Sequence, residues 1–81
     1  LGVMPDYLYD EGGMKISAIT SDEKPAGKAG LQKNDIVIKM GDINVIDMMS
    51  YMNALSTFKE GDTTIIQIKR DGQILDFTIK F

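Results

Sequence analysis

The sequence predicts a small α+β fold, a five- to six-stranded partly open β-barrel or sandwich capped by two helices. Three observations carry that expectation. Apolar and polar residues alternate along Met14–Ile19, Thr63–Arg70 and Gln73–Phe81, the two-residue period of half-buried strands. Asp71-Gly72 separates the last two, and that pair favours a two-residue hairpin. Two helical stretches, Pro25–Gly30 and Asp47–Phe58, interrupt the strands. Eighty-one residues hold one domain, residues 1–81, with no room for a second or for an internal repeat.

Each element has a local cause. Leu1-Gly2-Val3 is a short apolar loop whose glycine lets successive N–H groups converge, as in an anion-binding nest. Val3–Tyr7 reads as extended, interrupted by Pro5, and Tyr7–Gly13 turns the chain, ended by the Gly12-Gly13 pair. After the strand Met14–Ile19, Thr20–Lys24 is a polar loop. Pro25 suits the first turn of a short helix and Gly30 its C-terminal cap. Gly27 inside that helix costs roughly 1 kcal/mol against alanine, so packing must hold it. Asn34 tolerates left-handed backbone angles in the turn Gln32–Asp35.

Ile36–Met40 is a short apolar strand, Gly41-Asp42 a turn and Ile43–Val45 a brief strand. Asp47 is a good N-cap for the second helix. Along it Met48, Met52 and Leu55 fall on one line, while Tyr51, Ala54, Leu55 and Phe58 form an overlapping stripe. Glu60-Gly61-Asp62 stops the helix. The expected core is Ile16, Ile19, Leu31, Ile36, Ile38, Tyr51, Leu55, Ile66, Ile68, Phe77 and Ile79.

Composition removes whole classes of function. With no histidine, the chain lacks the commonest general base and metal ligand, and a Ser-His-Asp triad cannot form. With no cysteine, it has no disulfide, thiol nucleophile or thiolate site. A net charge of −3 and no basic stripe argue against nucleic acid as a partner. No apolar run approaches the ~20 residues of a membrane-spanning helix. No pair of carboxylates has a spacing that suggests metal or acid–base work, and Asp42, Asp47, Asp62 and Asp71 stand where turns and caps use aspartate. The chain opens without an initiator methionine and ends on a strand, and we expect it to be a domain of a longer protein.

Taken together, Leu1-Gly2-Val3, Pro25-Ala26-Gly27-Lys28-Ala29-Gly30-Leu31, Glu60-Gly61-Asp62 and Arg70-Asp71-Gly72 resemble the PDZ domain of the bacterial, circularly permuted type. The turn Gln32-Lys33-Asn34-Asp35 departs from the family's usual x-x-G-D. A narrower likeness lies in Leu1–Tyr7, Ser50–Leu55 and Phe58–Asp62. These resemble the PDZ domain at the C-terminal end of secreted bacterial zinc aminopeptidases.

The resemblance implies a binding module rather than an enzyme, one that takes a peptide or protein C-terminus, or an extended segment, at a sheet edge. The N–H groups of Leu1, Gly2 and Val3 are expected to hold the terminal carboxylate, with Met4, Pro5, Met48, Met52 and Leu55 forming the peptide groove. Tyr51, Ala54 and Phe58 serve the core side of the helix, leaving Met48 and Met52 to the groove. No cofactor is expected in the chain itself; zinc would belong to an attached catalytic domain, placed outside the cytoplasm. Pro5 cuts against strand addition, because it lacks the N–H that the edge would donate to a peptide. The alternative is therefore a structural domain that docks on its own parent's catalytic domain and binds no free peptide. The acidic and aromatic cluster Asp6, Tyr7, Tyr9, Asp10 and Glu11 is either a docking surface of that kind or a solvated loop.

Overall fold

The computed structural model describes residues 1–81. Its elements are β1 Val3–Pro5, β2 Met14–Ile19, α1 Pro25–Ala29, β3 Ile36–Met40, β4 Ile43–Asn44, α2 Met48–Ser56, β5 Thr63–Arg70 and β6 Gln73–Lys80. All strand pairings are antiparallel, in the order β1-β2-β3-β5-β6, with β4 added to β3. The sheet is open, with β1 and β6 as its edges. Helix α1 touches both: the Ala26 N–H donates to the Leu1 carbonyl at 3.1 Å, and Gly30 lies against the Phe77 ring on β6.

The hairpin forms as the Asp71-Gly72 pair requires. Both residues take positive φ, 51° and 80°, and the ladder runs from Thr63↔Lys80 to Arg70↔Gln73. Asn34 sits at φ 75°, the left-handed angle its turn needs. Gly27 is held by close approach, since a Cβ there would lie 2.5 Å from the Ser21 carbonyl oxygen and 2.7 Å from Asp22 Cα. That contact explains a helix-weakening residue in a helix.

Helix α2 begins in a reciprocal cap. Asp47 Oδ1 accepts from the Ser50 N–H at 2.8 Å, and Ser50 Oγ accepts from the Asp47 N–H at 3.0 Å. The helix ends at Ser56, two residues before the expected Phe58. There the Thr57 and Phe58 N–H groups turn to carbonyls three residues back, and the Ser56 and Thr57 hydroxyls bond to the carbonyls of Asn53 and Ala54. Phe58 instead stacks on Phe81, centroids 5.0 Å apart.

The core comprises Met14, Ile16, Ala26, Leu31, Val37, Met40, Val45, Tyr51, Ala54, Ile66, Ile68 and Ile79. Expected core residues Ile19, Leu55 and Phe77 are half-buried and pack against it. Ile36 and Ile38 require a correction. Val37 and Met40 point inward instead, and the register of β3 against β5 shifts between Val37 and Lys39. An Ile-Val-Ile run is apolar on both faces, so alternation could not choose between them.

Asp35 is the only charged side chain taken into the interior, 1% exposed. Arg70 Nε and Nη2 donate to its two oxygens at 2.8 and 2.7 Å, and the Gln32 N–H donates at 2.8 Å. Arg70 also reaches the Gly30 carbonyl and covers the Phe77 ring, so one side chain joins α1, the turn after it, β5 and β6.

Candidate functional site: the open edge of β1

Two consecutive peptide units, Leu1–Gly2 and Gly2–Val3, decide what the start of the edge offers. The Leu1 carbonyl accepts from Ala26 in α1, and the Gly2 carbonyl accepts from the Thr20 N–H at 2.9 Å. In a trans peptide the N–H points opposite to its carbonyl, and no peptide bond here is cis. The Gly2 N–H therefore points away from α1, and the Val3 N–H away from β2. Gly2 makes this possible at φ 82°, and a side chain on it would run into Cβ and Cγ of Lys24.

Farther along, the Asp6 N–H donates to the Lys15 carbonyl at 2.9 Å, so the Gly2 carbonyl and the Asp6 N–H both face β2. Alternation turns the carbonyls of Val3 and Pro5 to the open side. Pro5 has no N–H to put there, so the open side of β1 offers a donor at Val3 and then only acceptors, with the Gly2 N–H just before it directed away from α1.

Side chains divide by the same alternation. Leu1 and Val3 are half-buried against the core, whereas Met4 turns to the opposite face and is 52% exposed. On α2, Tyr51 and Ala54 point into the core, as the stripe reading expects. Met48 and Leu55 border that core, and Met52 stands out at 56% exposed. Burial pushes the Tyr51 hydroxyl up to about 12, and the neighbouring Tyr7 adds to the shift. Leu1, Val3, Met48 and Leu55 all pack against the one hydrophobic core, and Met52 lies on the exposed side of α2.

The two cavities of the molecule lie elsewhere. One of about 510 Å³ opens on the outer face of β3, over Ile36 and Ile38 and between Tyr9, Gly13, Ile46 and Lys69. The other, about 350 Å³, lies between the start of α1 and the end of β6, among Glu23, Lys28, Glu60 and Lys80. Neither cavity is lined by a residue of β1 or α2. In the acidic loop, Asp6 Oδ1 accepts from the Leu8 N–H and Lys15 covers the Tyr9 ring, while Tyr7 and Leu8 are exposed. No helix is long and apolar enough to cross a membrane.

Sequence reasoning missed Asp35, Arg70 and Lys24. The first two are joined across 35 positions, and Lys24 meets Gly2 only because α1 folds back on β1. No local pattern marks either contact.

Solved structures share this fold. An HtrA-type protease, AlgW, with a decapeptide superposes with a TM-score of 0.86 at 22% identity, over 99% of this chain and 27% of that one. An aminopeptidase N family protein from Idiomarina loihiensis gives 0.83 at 19%, over 98% of this chain and 13% of that one. The HtrA3 PDZ domain bound to a phage-derived ligand, FGRWV, gives 0.80 at 17%, over 99% and 81%. This chain thus spans about a quarter and about an eighth of the first two proteins. No curated protein sequence matches it. A family model for the PDZ domain matches residues 1–81, from the loop before β1 to the end of β6, and the chain therefore belongs to the PDZ family.

Proposed function

We propose that this domain takes a peptide C-terminus, or an extended segment, as an added strand along β1, and that it does so for an attached protease. The observation that carries the reading is the unpaired edge of β1, where the Val3 N–H points away from β2 and the Gly2 N–H before it points away from α1. In this reading Leu1, Gly2 and Val3 hold the carboxylate. Val3, Met48 and Leu55 floor the pocket for the last side chain, Met52 flanks it, and Met4 and Pro5 contribute backbone. A thioether wall adapts to many apolar side chains. The HtrA-type and HtrA3 structures, each with a peptide, support the class of ligand.

The aminopeptidase N family structure supports an aminopeptidase as the parent, and we place that parent outside the cytoplasm, as the resemblance implies. This chain's residues do not fit a zinc site. It has no histidine or cysteine, and no three metal-ligating side chains converge. Any zinc belongs to another part of the parent.

Titration of a library of C-terminal peptides tests the reading. High-micromolar binding is expected, from the missing donor at Pro5. Met52→Lys should weaken it at least about tenfold, the loss of part of a methionine's burial, with the unfolding midpoint nearly unchanged. Unfolding of that variant would place Met52 in the core and end the groove assignment. Binding by neither form would favour the second reading, a domain that docks within its parent.

A further inference from the structure

The outer face of β3 is apolar where a strand facing water would be polar. Ile36 and Ile38 floor a cavity of about 510 Å³ there, and neither belongs to the core. Ile46 lines it too, although 68% exposed. The loop wall of the cavity is fixed in place. Gly13 donates its N–H to the Ile46 carbonyl at 3.0 Å, and a Cβ on it would lie 2.6 Å from the Val37 carbonyl oxygen and 2.8 Å from Ile36 Cγ2. Only glycine lets the loop close so tightly on the strand, so the cavity is formed before anything enters it.

Cations frame this apolar floor. Lys15 pairs with Ile36, Ile36 with Lys69 and Lys69 with Ile74, so these four side chains leave the same face of the sheet side by side. Lys69 lines the cavity, and the Lys15 ammonium sits 5.5 Å from the centre of the Tyr9 ring, which lines it as well. Neither lysine has a carboxylate partner, because the one ion pair of the molecule joins Arg70 and Asp35. Glu11 is the single acid on the lining. Ile74, 58% exposed, carries the apolar surface on to β6. An exposed apolar surface that runs past its cavity and is bordered by charge suits a protein partner rather than a small molecule.

We propose that the outer face of β3 is a second docking surface, which receives a protein segment carrying an aliphatic side chain flanked by carboxylates. The side chain fills the cavity over Ile36 and Ile38, and the carboxylates meet Lys15 and Lys69. No residue of β1 or α2 lines the cavity, so this docking does not rest on the peptide-binding reading and leaves the β1 edge free.

The test uses the 81-residue chain and five-residue peptides blocked at both ends, so that no terminal carboxylate is offered to β1. Their central residues are Asp-Leu-Asp, Lys-Leu-Lys or Asp-Ala-Asp, between glycines. The methyl resonances of Ile36, Ile38 and Ile46 and the Val3 amide are followed by NMR. Asp-Leu-Asp should move the three methyls and leave Val3 unmoved. Exchanging its leucine for alanine should weaken binding about tenfold, the loss of a partly buried side chain. Lys-Leu-Lys should bind about fivefold more weakly at low salt, less so at high salt. Lys69→Glu should remove that preference for acid, and Lys69→Arg should keep it.

Equal binding of the acidic and basic peptides, or unmoved Ile36, Ile38 and Ile46 methyls, would overturn the proposal. Movement of Val3 in their place would put the peptides on β1, overturning this docking surface while upholding the edge. Methyl shifts that grow with protein concentration alone would assign the face to a second copy. Isocaproate binding as tightly as Asp-Leu-Asp would assign it to a small carboxylate. Either result would overturn the protein partner.

Discussion

Asp35 and Arg70 show how much one contact can depend on residues far apart. A carboxylate at 1% exposure is tolerable only because a guanidinium grips both oxygens and the Gln32 N–H adds a third bond. Arg70→Met should destabilise the domain by about 3 kcal/mol, the lower end for a broken buried pair because the Arg70 side chain is itself 26% exposed. Urea unfolding measures it. A loss under about 1 kcal/mol would mean that water rescues Asp35. At this scale, residues whose role is set by neighbours in sequence were legible: Asn34 at its left-handed turn, Asp71-Gly72 at the hairpin, Asp47 at its cap. Asp35 looked like another turn aspartate, because nothing within a few positions announces Arg70.

The elements were legible wherever one face is wet. The strands β2, β5 and β6 and the core stripe of α2 follow their periods because polar residues mark the outside. β3 did not, since Ile36 and Ile38 are shielded on the outer face by the Tyr9–Gly13 loop and Ile46. Helix α2 carries its own pH response. Its cap holds the Asp47 carboxyl below the ordinary value of 3.8, chiefly through the Ser50 N–H and then its hydroxyl. A depressed pKa means that the folded state binds the proton less readily than the unfolded chain does. The contribution is therefore complete above 3.8 and is lost as pH falls through the lowered value. Following the Ser50 amide resonance from about pH 5 downward should show it leave its capped position in that window. Asp47→Asn, which caps without titrating, should flatten the response; an unchanged response would assign the transition to another group.

Across the whole molecule, the order of elements and the fold were readable in advance, because each piece is local and the connections are short. The spatial relations that make a site were not: which strand side stays unpaired, and that α1 bridges both sheet edges and carries Lys24 to Gly2. Both depend on the register of β1 against β2, where Val3 meets Ile19 and Met4 meets Ala18. With the edge located, Pro5→Val becomes a test on the entire domain. It restores one donor at the open side of β1, and peptide affinity should rise by about fivefold or more, the value of one lost partner for a desolvated acceptor. Calorimetric titration of the two forms reads it, and unchanged affinity would show that peptides leave the edge before Pro5.

An edge able to accept a peptide strand is equally able to accept another copy of β1. Val3 alone offers both a donor and an acceptor there, so two copies laid edge to edge gain too few bonds to stay together while Pro5 is in place. The proline is then a guard against self-assembly, held at the cost of ligand strength. The same Pro5→Val chain should gain a concentration-dependent dimer in sedimentation as it gains affinity. Monomeric behaviour at high concentration would separate the two effects and leave Pro5 as a limit on peptide binding alone.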